Sequence, residues 1–83
     1  MAMTYYAYVI KSEKCDYLYK GHCRDLELRL RQHNSGQTKS IIPYIPFKLI
    51  YYEEFECVED AIIREKYFKS SAGRRYLKSR LSL

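Results

Sequence analysis

The chain has 83 residues, the size of one small domain, and its 15 Lys+Arg against 10 Asp+Glu leave a net charge of +5 with 47% hydrophobic residues, an ordinary globular composition. No apolar run reaches the ~20 residues of a membrane helix; the longest clear one is Tyr5–Ile10. The N-terminus lacks the basic-then-apolar pattern of a signal peptide, three glycines and two prolines exclude collagen-like and low-complexity chains, and no internal repeat is visible.

Thr4–Ile10, rich in tyrosine and β-formers, reads as a strand. Lys11–Asp16 is polar and reads as a turn, and Tyr17–His22 as a second strand, so the short connection predicts an antiparallel hairpin. Asp25 is a good N-cap for an amphipathic helix in which Leu26 and Leu30 lie one turn apart, ending at Asn34-Ser35-Gly36. Gln37–Pro46 holds both prolines and no period, so it reads as a loop. Phe47–Glu56 is apolar and aromatic but alternates poorly, and reads as a third strand. Glu59–Phe68 reads as a helix, Ser70-Ser71-Ala72-Gly73 as a break, and Arg74–Leu81 as a short basic helix. The order β-β-α-β-α-α predicts an α+β fold, a small mixed sheet with helices packed against it, with residues 1–83 as one domain.

Charge is uneven along the chain. Residues 51–63 carry five acids and no base, whereas residues 64–83 carry seven bases and one acid, Glu65. A basic end of this kind is a footprint for an anionic partner, or else a solvated helix face. Cys15, Cys23 and Cys57 are odd in number and form no CxxC, so free thiols in a reducing cytoplasm are expected rather than a disulfide framework or a zinc site.

One set of residues points to chemistry. Tyr8 and Tyr19 fall on the two hairpin strands, where they can share a sheet face. Gly21 at the strand end permits close backbone approach. Arg29 and His33, four apart, share a helix face. Taken singly, each has a bland explanation: tyrosines chosen for strand propensity, a histidine complementing a helix dipole, and Glu65 paired with Lys69 at i, i+4.

Taken in order, they resemble a GIY-YIG nuclease domain of the small single-domain, UPF0213-like branch. Tyr6-Ala7-Tyr8 stands for GIY, Tyr19-Lys20-Gly21 for YIG, Gly21 to Leu30 for the run into the arginine-bearing helix, His33-Asn34-Ser35-Gly36 for the HNSG end, and Glu65 for the metal-binding glutamate. The resemblance covers nearly the whole chain. It implies a three-stranded antiparallel sheet flanked by helices, and metal-dependent cleavage of phosphodiester bonds. One Mg²⁺ or Mn²⁺ is expected on Glu65. Tyr8 is the expected general base, directly or after losing its proton, which requires a nearby cation. Tyr19 is expected to position water or phosphate, Arg29 to stabilise developing charge, and His33 to support the tyrosine or the phosphate.

Nucleic-acid contacts are expected from His22, Lys39, Arg74, Arg75 and Lys78. The expected substrate is DNA, with RNA as the alternative, in structured or branched form and in repair or recombination; no membrane partner is expected. Specificity would come from a homodimer or a partner protein. This chain departs from the family in lacking an asparagine after Asn34; Leu77 stands twelve residues past Glu65. That departure supports a second reading, a nucleic-acid-binding module with weak or lost cleavage. A tyrosine-rich protein-interaction surface is a third and weaker one.

Overall fold

The computed structural model describes residues 3–83. Three strands, β1 (Tyr5–Ser12), β2 (Leu18–Cys23) and β3 (Phe47–Phe55), form a sheet of order β2-β1-β3, antiparallel throughout. The sheet is therefore the one the family resemblance implies and not a mixed one. Three α-helices follow or flank the strands: α1 (Leu26–Asn34), α2 (Val58–Lys69) and α3 (Ser71–Leu81).

As the central strand, β1 is covered on both faces, which is why Ala7 to Ile10 form an unbroken buried run. Alternation then divides the core in two. Ala7 and Val9 pack against Phe68 of α2 and Leu77 of α3. Tyr8 and Ile10 pack on the other face against Ile41, Phe47 and the α1 leucines Leu26 and Leu30. The poor alternation of β3 also has a structural cause. Its register against β1 slips between Val9, which faces Tyr51, and Ile10, which faces Leu49. The extra residue is a β-bulge, and it puts both Ile50 and Tyr51 into the cluster on the α2–α3 face.

Asp25 caps α1, its Oδ1 accepting from the Leu28 N–H at 3.0 Å. Past the helix end, Gly36 takes φ +88°, where a side chain is strained. Asn34 does more than stop the helix. Its Nδ2 donates to the Phe47 carbonyl at 3.0 Å and its Oδ1 accepts from the Phe47 N–H at 2.7 Å, so one side chain pins the start of β3.

Two segments differ from the expectation. Lys39–Tyr44, expected as loop, is a 3₁₀ helix that buries Ile41 under the sheet. The expected break at 70–73 is one residue long. Ser70 ends α2, and its Oγ accepts from the Gly73 N–H to start α3. Gly73 is a helical residue whose absent side chain permits close approach; a Cβ there would lie 1.7 Å from the Tyr67 carbonyl oxygen.

Candidate active site

Four of the candidate residues meet on the α1 face of the sheet. Tyr8 faces Gly21 across the β1–β2 ladder, and its ring lies directly over that glycine. A Cβ on Gly21 would stand 2.5 Å from the Tyr8 hydroxyl oxygen. Gly21 is thus the slot that lets Tyr8 lie flat across β2.

The Tyr8 hydroxyl and His33 Nε2 are 2.7 Å apart, and His33 Nδ1 lies 2.8 Å from the Thr38 hydroxyl. Tyr19 meets the His33 ring edge-on with centroids 4.8 Å apart. The Arg29 guanidinium stands beside Tyr8, and its Nη1 donates to Gln32 Oε1 at 3.1 Å.

Burial sets the protonation of this group. His33 is fully buried; desolvation, with the Arg29 charge beside it, drives its pKa down to about 4. The ring is therefore neutral at pH 7 and can accept a proton at one nitrogen while donating at the other. Tyr8 goes the other way. Desolvation raises its phenol well above the ordinary 10.0, and Arg29 offsets only part of that rise. The nearby cation expected to make Tyr8 basic at neutral pH is present but outweighed, so a resting phenolate is not populated.

Glu65 belongs to the other face of the sheet. Its Oε1 lies 2.7 Å from His22 Nδ1 and its Oε2 accepts from Lys69 Nζ at 2.7 Å. Partial burial would raise this carboxyl, but the Lys69 and His22 contacts outweigh it and hold it below the usual carboxylate range. His22 directly follows Gly21 on β2, so one strand end carries both the slot under Tyr8 and the partner of Glu65. His22 is thus bonded to the candidate metal ligand rather than standing free.

Among the described residues no cluster of three or more His, Cys, Asp or Glu side chains could hold a metal alone. Glu65 nevertheless fits a hard divalent ion held through one carboxylate, with water and phosphate oxygens completing the shell. It is anionic and partly exposed, and it already attracts a cationic group, the Lys69 ammonium, which must swing off Oε2 first.

The remaining candidates spread out. Arg74 and Lys78 line a groove on the α2–α3 face, Arg75 is exposed elsewhere on α3, and Lys39 is exposed on the 3₁₀ helix across the molecule. Leu77, at the position of the absent asparagine, is buried in the core. No period or spacing in the sequence marks Thr38. It also left unmarked a lock between β3 and the helices: Arg64 donates to Glu53 at 2.8 and 3.2 Å, and Tyr51 donates to Glu53 while meeting the Tyr76 hydroxyl at 3.0 Å.

A two-tyrosine hairpin seated on an arginine- and histidine-bearing helix, with a glutamate from a later helix at the strand end, defines a GIY-YIG domain. The family model described as the GIY-YIG catalytic domain matches residues 4–78. A UPF0213 protein of Staphylococcus saprophyticus is 35% identical over 75 residues, 89% of this chain and 90% of that one. A UPF0213 protein of Pediococcus acidilactici is 38% identical over 64 residues, 74% of this chain and 65% of that one. The solution NMR structure of a UPF0213 protein from Bacillus halodurans superposes with a TM-score of 0.55 at 28% identity, covering 93% of this chain and 84% of that one. The chain belongs to the GIY-YIG family, in its small UPF0213-like branch. GIY-YIG domains form a nuclease family whose members generally use divalent metals.

Proposed function

We propose that this domain is a metal-dependent endonuclease that hydrolyses phosphodiester bonds in DNA, including structured or branched DNA of the kind met in repair and recombination. The observation that carries this reading is the Tyr8–His33 contact at 2.7 Å beside Arg29, on the opposite sheet face from the His22–Glu65 pair and linked to it through the consecutive β2 residues Gly21, which Tyr8 overlies, and His22. Such a group is more than a solvated surface requires.

In this mechanism Tyr8 acts as a neutral relay. Its oxygen takes a proton from the attacking water as its own proton passes to His33 Nε2, which holds it only transiently, since burial and Arg29 keep the imidazolium acidic, and then releases it to solvent. Thr38 fixes the tautomer by accepting from Nδ1–H. The relay suits a phenol whose burial disfavours a standing phenolate, and it holds the acceptor nitrogen at hydrogen-bond distance. The water oxygen bonds to phosphorus as the bond to the leaving ester oxygen breaks, and that oxygen keeps the electron pair and takes a proton from solvent. Arg29 donates to the non-bridging oxygens as they gain charge, and Tyr19 borders the water and keeps the His33 ring in place.

Glu65 would hold the ion, Mg²⁺ or Mn²⁺. When bound, that ion supplies Lewis-acid stabilisation of the phosphate and the leaving oxygen. His22 orients the Glu65 carboxylate. Specificity beyond the backbone comes from a second copy or a partner protein.

A second reading, a nucleic-acid-binding module that no longer cuts, is favoured by one observation: both Glu65 oxygens are engaged by His22 and Lys69. Incubation of single-stranded, duplex and branched DNA with Mg²⁺, Mn²⁺ or chelator separates the two. Metal-dependent cutting that Glu65→Ala and Arg29→Ala abolish supports the nuclease. Salt-sensitive binding by a folded wild type that never cuts supports the binding module.

A further inference from the structure

A groove of about 1100 Å³ runs along the α2–α3 face of the sheet, away from Tyr8 and His33. Six cations line it: Lys11, Lys14, Lys20, Lys48, Arg74 and Lys78. Only Arg74 and Lys78 were marked by sequence, because the others come from β1, the hairpin turn, β2 and β3. Two acids, Glu13 and Asp16, sit on the hairpin rim, so the lining carries +4 of the chain's side-chain charge of +5.

This charge is poorly compensated within the protein. Lys11 and Lys48 are directly opposed in the β1–β3 ladder, an arrangement in which like charges destabilise a sheet. Lys11 has a long 3.8 Å contact to Asp16, whose side chain is 95% exposed, so the pair contributes little. Among the described residues, Lys48, Arg74 and Lys78 have no ion-pair partner. Burial disfavours the Lys20 charge, and the neighbouring Arg74 and Lys69 add to that.

The groove joins the candidate site. Leu18, Lys20 and His22 alternate onto one face of β2, and His22 holds Glu65. From His22 to Leu18 is four residues, about 14 Å of strand, or roughly four base pairs at the ~3.4 Å axial spacing of phosphates along one DNA strand.

We propose that this groove is a phosphate-backbone track that holds duplex DNA about four base pairs from the bond cut beside Glu65. The proposal rests on the nucleic-acid reading above. It is tested by the binding of a labelled 20-base-pair duplex, in chelator, across ~50–200 mM salt. Lys11→Gln/Lys48→Gln is compared with Arg31→Gln/Lys66→Gln, a control that removes two exposed cations from α1 and α2 outside the groove.

The groove variant is expected to lose tenfold or more in affinity at 100 mM salt and to flatten the log–log salt slope by about 1.8, at ~0.9 per phosphate contact; the control is expected to lose less than threefold. Removing the opposed lysines should leave thermal stability equal or raised, which separates lost contacts from lost folding. Equal losses in both variants, or no duplex binding by wild type at 50 mM salt, would overturn the track. Wild type that binds through the groove yet never cuts in Mg²⁺ would sink the nuclease reading alone. Cutting that ignores the groove variant would sink the track alone.

Discussion

Replacing Gly21 with alanine should disturb the candidate site without adding or removing any polar group. The new Cβ would stand 2.5 Å from the Tyr8 hydroxyl oxygen, 2.7 Å from Cζ and 3.0 Å from Cε2, all below ordinary contact. Tyr8 is held from the other side by the packed α1 face, so the phenol has to leave His33. Overpacking of this kind costs about 1–3 kcal/mol, and the gain of about 0.5–1 kcal/mol from alanine over glycine in a strand offsets part of it. The net loss is up to about 2.5 kcal/mol and centres near 1 kcal/mol, a Tm drop of roughly 4–8 °C at that centre in a domain of this size.

The assay is urea unfolding of four proteins: wild type, Gly21→Ala, Tyr8→Leu and the double variant. Leucine removes all three clashing atoms, so Gly21→Ala should cost about 1 kcal/mol less in the Tyr8→Leu background. An equal cost in both backgrounds would refute the claim that Gly21 is the slot for Tyr8.

Four further outcomes are expected. Tyr8→Phe should lower the single-turnover cleavage rate by about 10²–10⁴ while duplex binding, measured by anisotropy, stays within threefold; a parallel loss of binding would mean Tyr8 is a docking group. His33 titrates at about 4 in the folded protein against an ordinary 6.5. The unfolded chain therefore takes up the proton first, and stability should fall as pH drops from ~6.5 towards ~4, by up to about 1.4 kcal/mol per pH unit; His33→Gln should flatten that limb in denaturation curves. Arg64→Gln should cost about 1–2 kcal/mol by leaving Glu53 short of its bidentate partner. Because Glu53 is held below its ordinary 4.5, mainly by Arg64 and Tyr51 against the opposing effect of burial, its contribution is present above that pH and lost as pH falls through its folded value; an acid limb unchanged in the variant would count against the lock. Asn34→Ala should cost about 1–3 kcal/mol by orphaning the Phe47 backbone pair, read by thermal melting.

The fold was legible where local chemistry and tertiary context agree. The tyrosine-rich hairpin, the Asp25 cap and the basic last helix all appear as the residue types demand. It was less legible where one residue serves two elements. Gly73 looks like a breaker because glycine ends helices, but here its missing side chain lets α3 start against the end of α2. The alternation of β3 was obscured by a bulge, which no residue type announces.

At the candidate site, helical spacing put Arg29 and His33 on one face, and the family resemblance marked them with the ordered tyrosines and Glu65 as a set. The protonation of Tyr8 was not, because it depends on how deeply β1 is covered by α1, a tertiary quantity. Thr38 and the groove lysines Lys11 and Lys48 carry no pattern in one dimension; pairing across strands brings the lysines together.

The most direct test of the account is single-turnover cleavage of a labelled duplex in Mg²⁺ by wild type, Tyr8→Phe and Glu65→Gln, with binding of each measured on the same duplex in chelator. The account predicts that all three bind within threefold and that only wild type cuts at speed. A wild type that binds and does not cut, or a Tyr8→Phe variant that cuts at the wild-type rate, would contradict it.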